Sequence, residues 1–358
     1  MNQYLGEAHL VRAYYYLNLV LRYAKAYNAT TADADLGVPL VTSFDLNELP
    51  KRASLKESYT LILDDITKAK TLLSGVNGVA GSNKFTIDAV FALEARAKLY
   101  MGDLEGAKNA AETVLKGGKY KLFNTDAGVK SIWAVDATQE TILQLFASKI
   151  ERPNQNSIYY GYEANSKTYR PNFVPSQWVI DSYSAGDFRK AAYFKEVKIY
   201  KSGKEHTGTI VNKYPGNPVL INSEIDNHNA PKVFRVAELY LISAEASVVS
   251  DPANALARLN ELRVARGLSA LSGLSGTALM NEVKAERFRE LAFEGFRLDD
   301  LKRWNEGMTR KSPQSTDFLE TGVGYINLSI PAGHDKFVWG IPSYEITLNS
   351  NLSQNKGW

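Results

Sequence analysis

The chain of 358 residues is 44% apolar and 23% charged with a net charge of +3, ordinary for a globular protein with room for one to three domains. Its Lys and Arg are scattered rather than gathered into a stripe, which argues against nucleic acid as a partner, and no apolar run approaches the ~18 residues of a membrane span. Cys is absent, which excludes disulfides, Cys-ligated zinc and a thiol nucleophile.

The first residues, MNQYLGEAHLVRAYYY, show neither the basic nor the apolar region of a signal peptide. They open a helix predicted over 3–27, with Leu5, Ala8, Val11 or Arg12, Tyr15, Leu19 and Arg22 at helical spacing. GVPLV at 37–41 reads as a short extended stretch. Ser54 followed by Glu57 is a capping box, and the helix it opens carries Tyr59, Ile62, Leu63, Ile66, Ala69 and Leu73 on one face. Residues 85–120 read as two helices joined at Gly102-Asp103. Residues 233–267 repeat the design, with Asp251-Pro252 as N-cap and first helical residue. Ala95, Ala97, Asp103 and Ala107 correspond to Ala244, Ala246, Asp251 and Ala255. Two helices in about 34 residues, with small residues at the crossing, are the tetratricopeptide design.

Residues 121–231 lose this period. They are rich in Trp, Tyr and Pro, with short strands predicted at 140–146 and 198–200 and loop elsewhere. A long loop region within a compact chain usually has a binding role. The organisation expected is therefore mainly α: helical repeats at 1–120, a loop-rich aromatic insert at 121–231, and further helical repeats at 232–358.

Catalytic chemistry finds little support. His9, His206, His228 and His334 lack metal-ligand spacing, so neither a metal nor another cofactor is expected. No nucleophile elbow, P-loop or dinucleotide fingerprint is present. Glycosidases need two facing carboxylates. The candidate pairs here are Asp64-Asp65, Asp299-Asp300 and Glu290 with Glu294, and residues adjacent on a helix point about 100° apart, so the Asp-Asp pairs do not face one another. In 287–304, RFRELAFEGFRLDDLKRW, the acids and arginines read as one ion-paired helix. Glu290, Glu294, Arg297 and Leu301 share a row, Asp299 stands four before Arg303, and Gly295 marks a kink or close packing. Aromatic faces and carboxylates together let arginines be buried without being orphaned.

The same stretch, with FVWGIPSYEITLNSNLSQNKGW at 337–358, resembles the C-terminal signature of the SusD/RagB family. GEAHLVRAYYYLNLVLRYA, GVPLV, RASLKESYTLILDDITKAKTLL, the A-x-A-K-L-Y-x-G-D helix pair and FRVAELYLISAEA follow in family order through essentially the whole chain. The resemblance implies a single domain of four tetratricopeptide-like helix pairs forming a scaffold, with irregular loops as ligand surface and no enzymatic activity. It also implies a surface lipoprotein that captures glycans for a SusC-like TonB-dependent outer-membrane transporter, or peptides in some members. The family's leader, acylated Cys and a further N-terminal segment are not in this sequence, so it is expected to be either an N-terminally truncated form, whose lipid anchor lies outside the sequence, or a shortened member. Ile341-Pro342 and Gln354-Asn355 match as structural elements.

No binding residue carries over by motif, so the candidates come from chemistry. Sugar rings ask for aromatic platforms flanked by amides or guanidinium groups. NQNSIYYGYEANSKTYRPNF at 154–173 supplies both. The candidates are Tyr159, Tyr160, Tyr162, Tyr169, Arg170, Asn156 and Asn165, with Trp133 from a neighbouring predicted loop. An extended run would send Tyr160 and Tyr162 to one side and Tyr159 to the other. Trp178 reads as packing on a helix. Glycan capture is the leading function, peptide or glycopeptide capture the alternative, and a glycosidase or a tetratricopeptide adaptor the readings from other classes.

Overall fold

The computed structural model describes residues 1–223, 226–319 and 328–358. Helix α1 (Asn2–Tyr23) buries Gly6, Leu10, Ala13, Leu17 and Val20. Leu5, Tyr15 and Leu19 are all at least 41% exposed, so the row picked out by spacing is the outer face. Strand β1 (Leu36–Pro39), in the stretch expected to be extended, pairs antiparallel with β2 (Arg52–Ser54). Helix α2 (Leu55–Leu72) begins with the expected capping box. Ser54 Oγ accepts from the Glu57 N–H at 3.1 Å, and Glu57 Oε2 accepts from the Ser54 N–H at 2.8 Å. Its row Tyr59, Ile62, Ile66 and Ala69 is buried against α1. Gly6 sets that crossing, because a Cβ there would sit 2.9 Å from Leu72 and from Leu73.

Helices α3 (Ile87–Met101) and α4 (Leu104–Lys116) form the expected pair around Gly102-Asp103, with Asp103 accepting from the Gly106 N–H. The chain then passes through α5 (Asp126–Ala134) and β3 (Thr141–Gln144). The next stretch is more ordered than its sequence implied. Strands β4 (Tyr162–Glu163) and β5 (Thr168–Tyr169) precede two short helices, α6 (Gln177–Asp181) and α7 (Phe188–Tyr193), and a long hairpin of β6 (Phe194–Lys201) and β7 (Lys204–Val211) follows. The four strands make one sheet in the order β4-β5-β6-β7. The hairpin turns at Ser202-Gly203, both at positive φ (52° and 81°), the conformation a two-residue turn between right-twisted strands requires. Trp178 on α6 stacks on Phe288 at 5.1 Å, the packing role expected of it.

Strand β8 (Lys232–Arg235) pairs with β3 and leads into α8 (Val236–Ser247) and α9 (Pro252–Ala265), capped by Asp251 as expected. Helix α4 packs on α8, so the two similar units stack directly. Ala95, Ala97, Ala107, Ala111, Ala244 and Ala255 are fully buried, which is what small residues at helix crossings permit. With α10 (Gly276–Glu290), which packs on α8 and α9, and the short α11 (Arg297–Arg303), the scaffold is mainly α and tetratricopeptide-like, as expected.

The stretch 287–304 is not one helix. It breaks at 291–296, where Phe293 adopts φ 65°, costly for a bulky residue and sustained only by its surroundings. Here the Tyr214 hydroxyl donates to the Phe293 carbonyl at 3.0 Å and Lys213 Nζ to the Ala292 carbonyl at 2.8 Å. The charges around it are structural, as expected, but many of their partners are remote. Glu290 accepts from Arg266 at 2.9 Å, Arg235 at 3.0 Å and Arg189 at 3.1 Å, while Arg266 also holds Glu140 at 2.8 Å. All five are buried. Burial alone would raise the Glu290 carboxyl, but the charges of Arg266 and Arg235 outweigh it and hold it well below the usual range. Arg303 pairs with Glu245 and Asp300, and Asp299 with Arg22, in place of the expected Asp299–Arg303 pair.

The two ends of the chain meet. Lys302 Nζ donates to the carbonyls of Leu21 and Ala24 at the end of α1. Asn355 Nδ2 donates to the Tyr23 carbonyl, and Arg52 reaches Asn355 Oδ1 at 2.9 Å.

Candidate functional site

Between α1, α3, β8 and the turn after α10 lies a cavity of about 420 Å³. Helix α1 contributes Tyr14, Asn18 and Arg22, and α3 contributes Arg96 and Tyr100. The 153–159 loop closes one wall with Pro153, Asn154, Asn156 and Tyr159, and the strained turn supplies Phe293. Tyr159 stacks on Tyr214 at 6.2 Å and meets Phe293 edge-on at 6.1 Å, so its half-buried ring is held by aromatic contacts rather than hydrogen bonds. Asn156 fixes the loop: its backbone N–H and its Nδ2 both donate to the Asn227 carbonyl, at 3.0 and 3.2 Å. His228 bonds the Pro153 carbonyl through Nδ1 at 2.6 Å.

The cavity floor is a set of ion pairs. Arg96 binds Glu238 through two hydrogen bonds of 2.7 and 2.6 Å and lies 4.4 Å from the Phe234 ring centroid. Arg235 grips Glu294 the same way at 3.0 and 2.6 Å. Lys232 Nζ reaches Asp136 at 2.7 Å, and Arg22 reaches Asp299 Oδ2 at 2.6 Å. Burial would raise Glu294, but Arg235 and Lys213 overcome it and keep its carboxyl low. Burial pulls the Lys213 ammonium down to about 8 although Glu294 opposes the shift. Asp299 differs: burial keeps its carboxyl above the usual value despite Arg22 and Lys302.

The structure divides the residues picked from sequence. Trp133, Asn156 and Tyr159 line the cavity. Trp133 is not the exposed loop platform expected, since it sits on α5 at 3% exposure. Lys213, Arg235 and Lys232 lie 4.4, 5.1 and 5.3 Å from its ring centroid. Tyr160, 4% exposed, packs with Ile199 and Ile210 and cannot be a platform. Residues 157–159 form a 3-10 turn, so Tyr160 and Tyr162 do not alternate along an extended run. Tyr162, Asn165, Tyr169 and Arg170 lie on or beside the β4–β5 hairpin and line no part of this cavity. There Tyr162 and Tyr169 pair at 4.9 Å, and Arg170 lies 4.7 Å from the Tyr200 ring centroid. Sequence reasoning missed Asn229, which bonds the Trp133 carbonyl at 2.6 Å, Asp136 Oδ1 and the Gly216 N–H. The run Asn227-His228-Asn229, short polar residues flanking a proline-rich stretch, was its available signal.

Among the described residues, no group of three or more His, Asp or Glu is placed to hold a metal ion. The lining carboxylates Glu238 and Glu294 are each clamped by a two-bond arginine. What the cavity offers a ligand is aromatic surface, amides and a few polar atoms.

A profile of the SusD family matches residues 119–358, and one described as starch-binding and associating with the outer membrane matches residues 1–99. A SusD superfamily protein from Bacteroides thetaiotaomicron is similar at 25% identity and TM-score 0.82, over 99% of this chain and 78% of that one. A SusD-like carbohydrate binding protein from Bacteroides vulgatus shares 22% identity at TM-score 0.81, over 98% and 77%. A SusD superfamily protein from Parabacteroides distasonis shares 22% at TM-score 0.75, over 100% and 79%. The curated proteins contain no match.

Proposed function

The chain belongs to the SusD family, and from that premise we propose that it is a non-catalytic glycan-binding protein of the outer membrane whose ligand enters the cavity beside Tyr159. The observation that carries this reading is the meeting of half-buried rings with amides in one cavity: Tyr14, Tyr159 and Phe293 beside Asn18, Asn154 and Asn156. Sugar rings present apolar C–H faces to aromatic planes and hydroxyls to amides. The reading extends to a surface-exposed lipoprotein that passes its ligand to a SusC-like TonB-dependent transporter, which the outer-membrane association of the matched family supports. Native gels containing separate polysaccharides test the binding. One glycan should retard the purified chain, and Tyr159→Ala should abolish the retardation. Retardation that survives Tyr159→Ala but is lost in Tyr162→Ala would move the site to the β4–β5 hairpin.

A further inference from the structure

Arg22 is unlike the other cations that line the cavity. Arg96 and Arg235 turn their Nε and Nη2 edges onto Glu238 and Glu294, Lys232 holds Asp136, and these three side chains are at most 9% exposed. Arg22 is 28% exposed and spends only Nη1, on Asp299 Oδ2 at 2.6 Å. Its Nε and Nη2 donate to no described residue. That edge carries a carboxylate on Arg12 and Arg258 too, as it does on Arg96 and Arg235. Nor does the pair with Asp299 close Arg22 to a second acid: Arg266 joins Glu140 to Glu290, and Arg303 joins Glu245 to Asp300.

The local charge favours a further anion. Arg22 and Lys302 face one carboxylate, Asp299, at 2.6 and 4.0 Å, while Asp300 is taken by Arg287 and Arg303. The carbonyl end of α1, which Lys302 caps, offsets only about half a charge of that surplus. Asn18 stands one turn before Arg22 on the same row of α1, ~6 Å along the helix. Its Nδ2 donates to the Tyr14 carbonyl at 2.8 Å and its Oδ1 accepts from no described residue.

We propose that the cavity takes glycans bearing a carboxylate, with the acid group of a uronic acid on Nε and Nη2 of Arg22 and a nearby hydroxyl donating to Asn18 Oδ1. This rests on the glycan reading of the same cavity. The guanidinium fork matches the two oxygens of a carboxylate, whereas a neutral sugar offers it only single hydroxyl oxygens without the opposite charge.

Isothermal titration at low salt tests this with an octagalacturonate, a hexamannuronate and a hyaluronan octasaccharide against maltoheptaose, mannohexaose, xylohexaose and chitohexaose. At least one uronate should bind, more tightly than any neutral chain. Arg22→Gln should weaken it roughly tenfold or more, the scale of a hydrogen bond to a charged group. Arg22→Lys, which keeps a cation for Asp299 and gives up the fork, replaces it should Arg22→Gln fail to fold, with a loss in the same direction. Methyl esterification of the bound uronate keeps its rings, removes its charge, and should weaken binding to the unaltered protein on the same scale. A neutral oligosaccharide binding as tightly as every uronate would overturn the inference while leaving glycan capture intact. So would a uronate whose affinity survives either the Arg22 substitution or esterification. If no probe binds, glycan capture at this cavity falls and the inference falls with it.

Discussion

Glu290 and Asp299 come from one charge-rich stretch of the chain, are equally buried, and end in different surroundings. Glu290 accepts from three arginines contributed by α7, β8 and the end of α9. Asp299 has one arginine on one oxygen and no hydrogen bond on the other, which Lys302 Nζ approaches only to 4.0 Å. Acidic character, burial and sequence neighbourhood are shared, so none of them tells a fully satisfied carboxylate from a partly satisfied one. The count of satisfied lone pairs does.

The largest effect should come from opening the closed side. Glu290→Ala would leave Arg189, Arg235 and Arg266 short of an anion and cost about 3–5 kcal/mol in urea unfolding. A loss below about 1 kcal/mol would mean that the network compensates and is less closed than its geometry. Acid should act on the same class of pair. Burial would raise Glu245, but Arg303 outweighs it and holds the carboxyl at about 2, below its usual 4.5. The unfolded chain therefore protonates first as pH falls, and stability present above pH 4.5 is lost toward pH 2, by about 3 kcal/mol for this group. Glu245→Gln should flatten that part of the stability–pH curve.

On the open side, Tyr159→Ala should reduce glycan affinity roughly tenfold or more, as loss of a stacking ring does, with a smaller loss of stability than Glu290→Ala because the half-buried ring also packs on Tyr214 and Phe293. A large fall in melting temperature would place Tyr159 with the scaffold and blur the contrast. The smallest effect belongs to a site outside both regions. Ser54→Ala removes one half of the capping box and should cost about 1 kcal/mol, giving a scale for the others.

What was legible in the sequence follows the range of the interactions. The capping box at Ser54, the Asp251-Pro252 start and the alanine-lined helix pairs rest on residues within a turn or two, and all appear as read. The hairpin at 194–211 was local as well: Ser202-Gly203 between alternating runs announced it, but only 198–200 was read as strand, the prolines nearby pointing to loop for the rest. The cavity was not local. Arg96 and Glu238 meet across 142 positions, and Trp133 is buried by cations from 213 to 235 that no short window joins to it. Asn156 and Tyr159, which line the cavity, were singled out because composition marks a ring beside an amide. Tyr160 shares that composition and is core, since a 3-10 turn rather than an extended run sets its direction.

The stitching of the chain's two ends has a consequence in time. The carbonyls that finish α1 are occupied by Lys302 and Asn355, and the cavity's walls come from residues 14–22 and 291–299 together. A nascent chain would hold half a cavity until residues 291–299 have been made, and contacts of such long sequence separation form slowly. In refolding, helical signal should return first and ligand capture last, so that incompletely made copies do not compete for ligand.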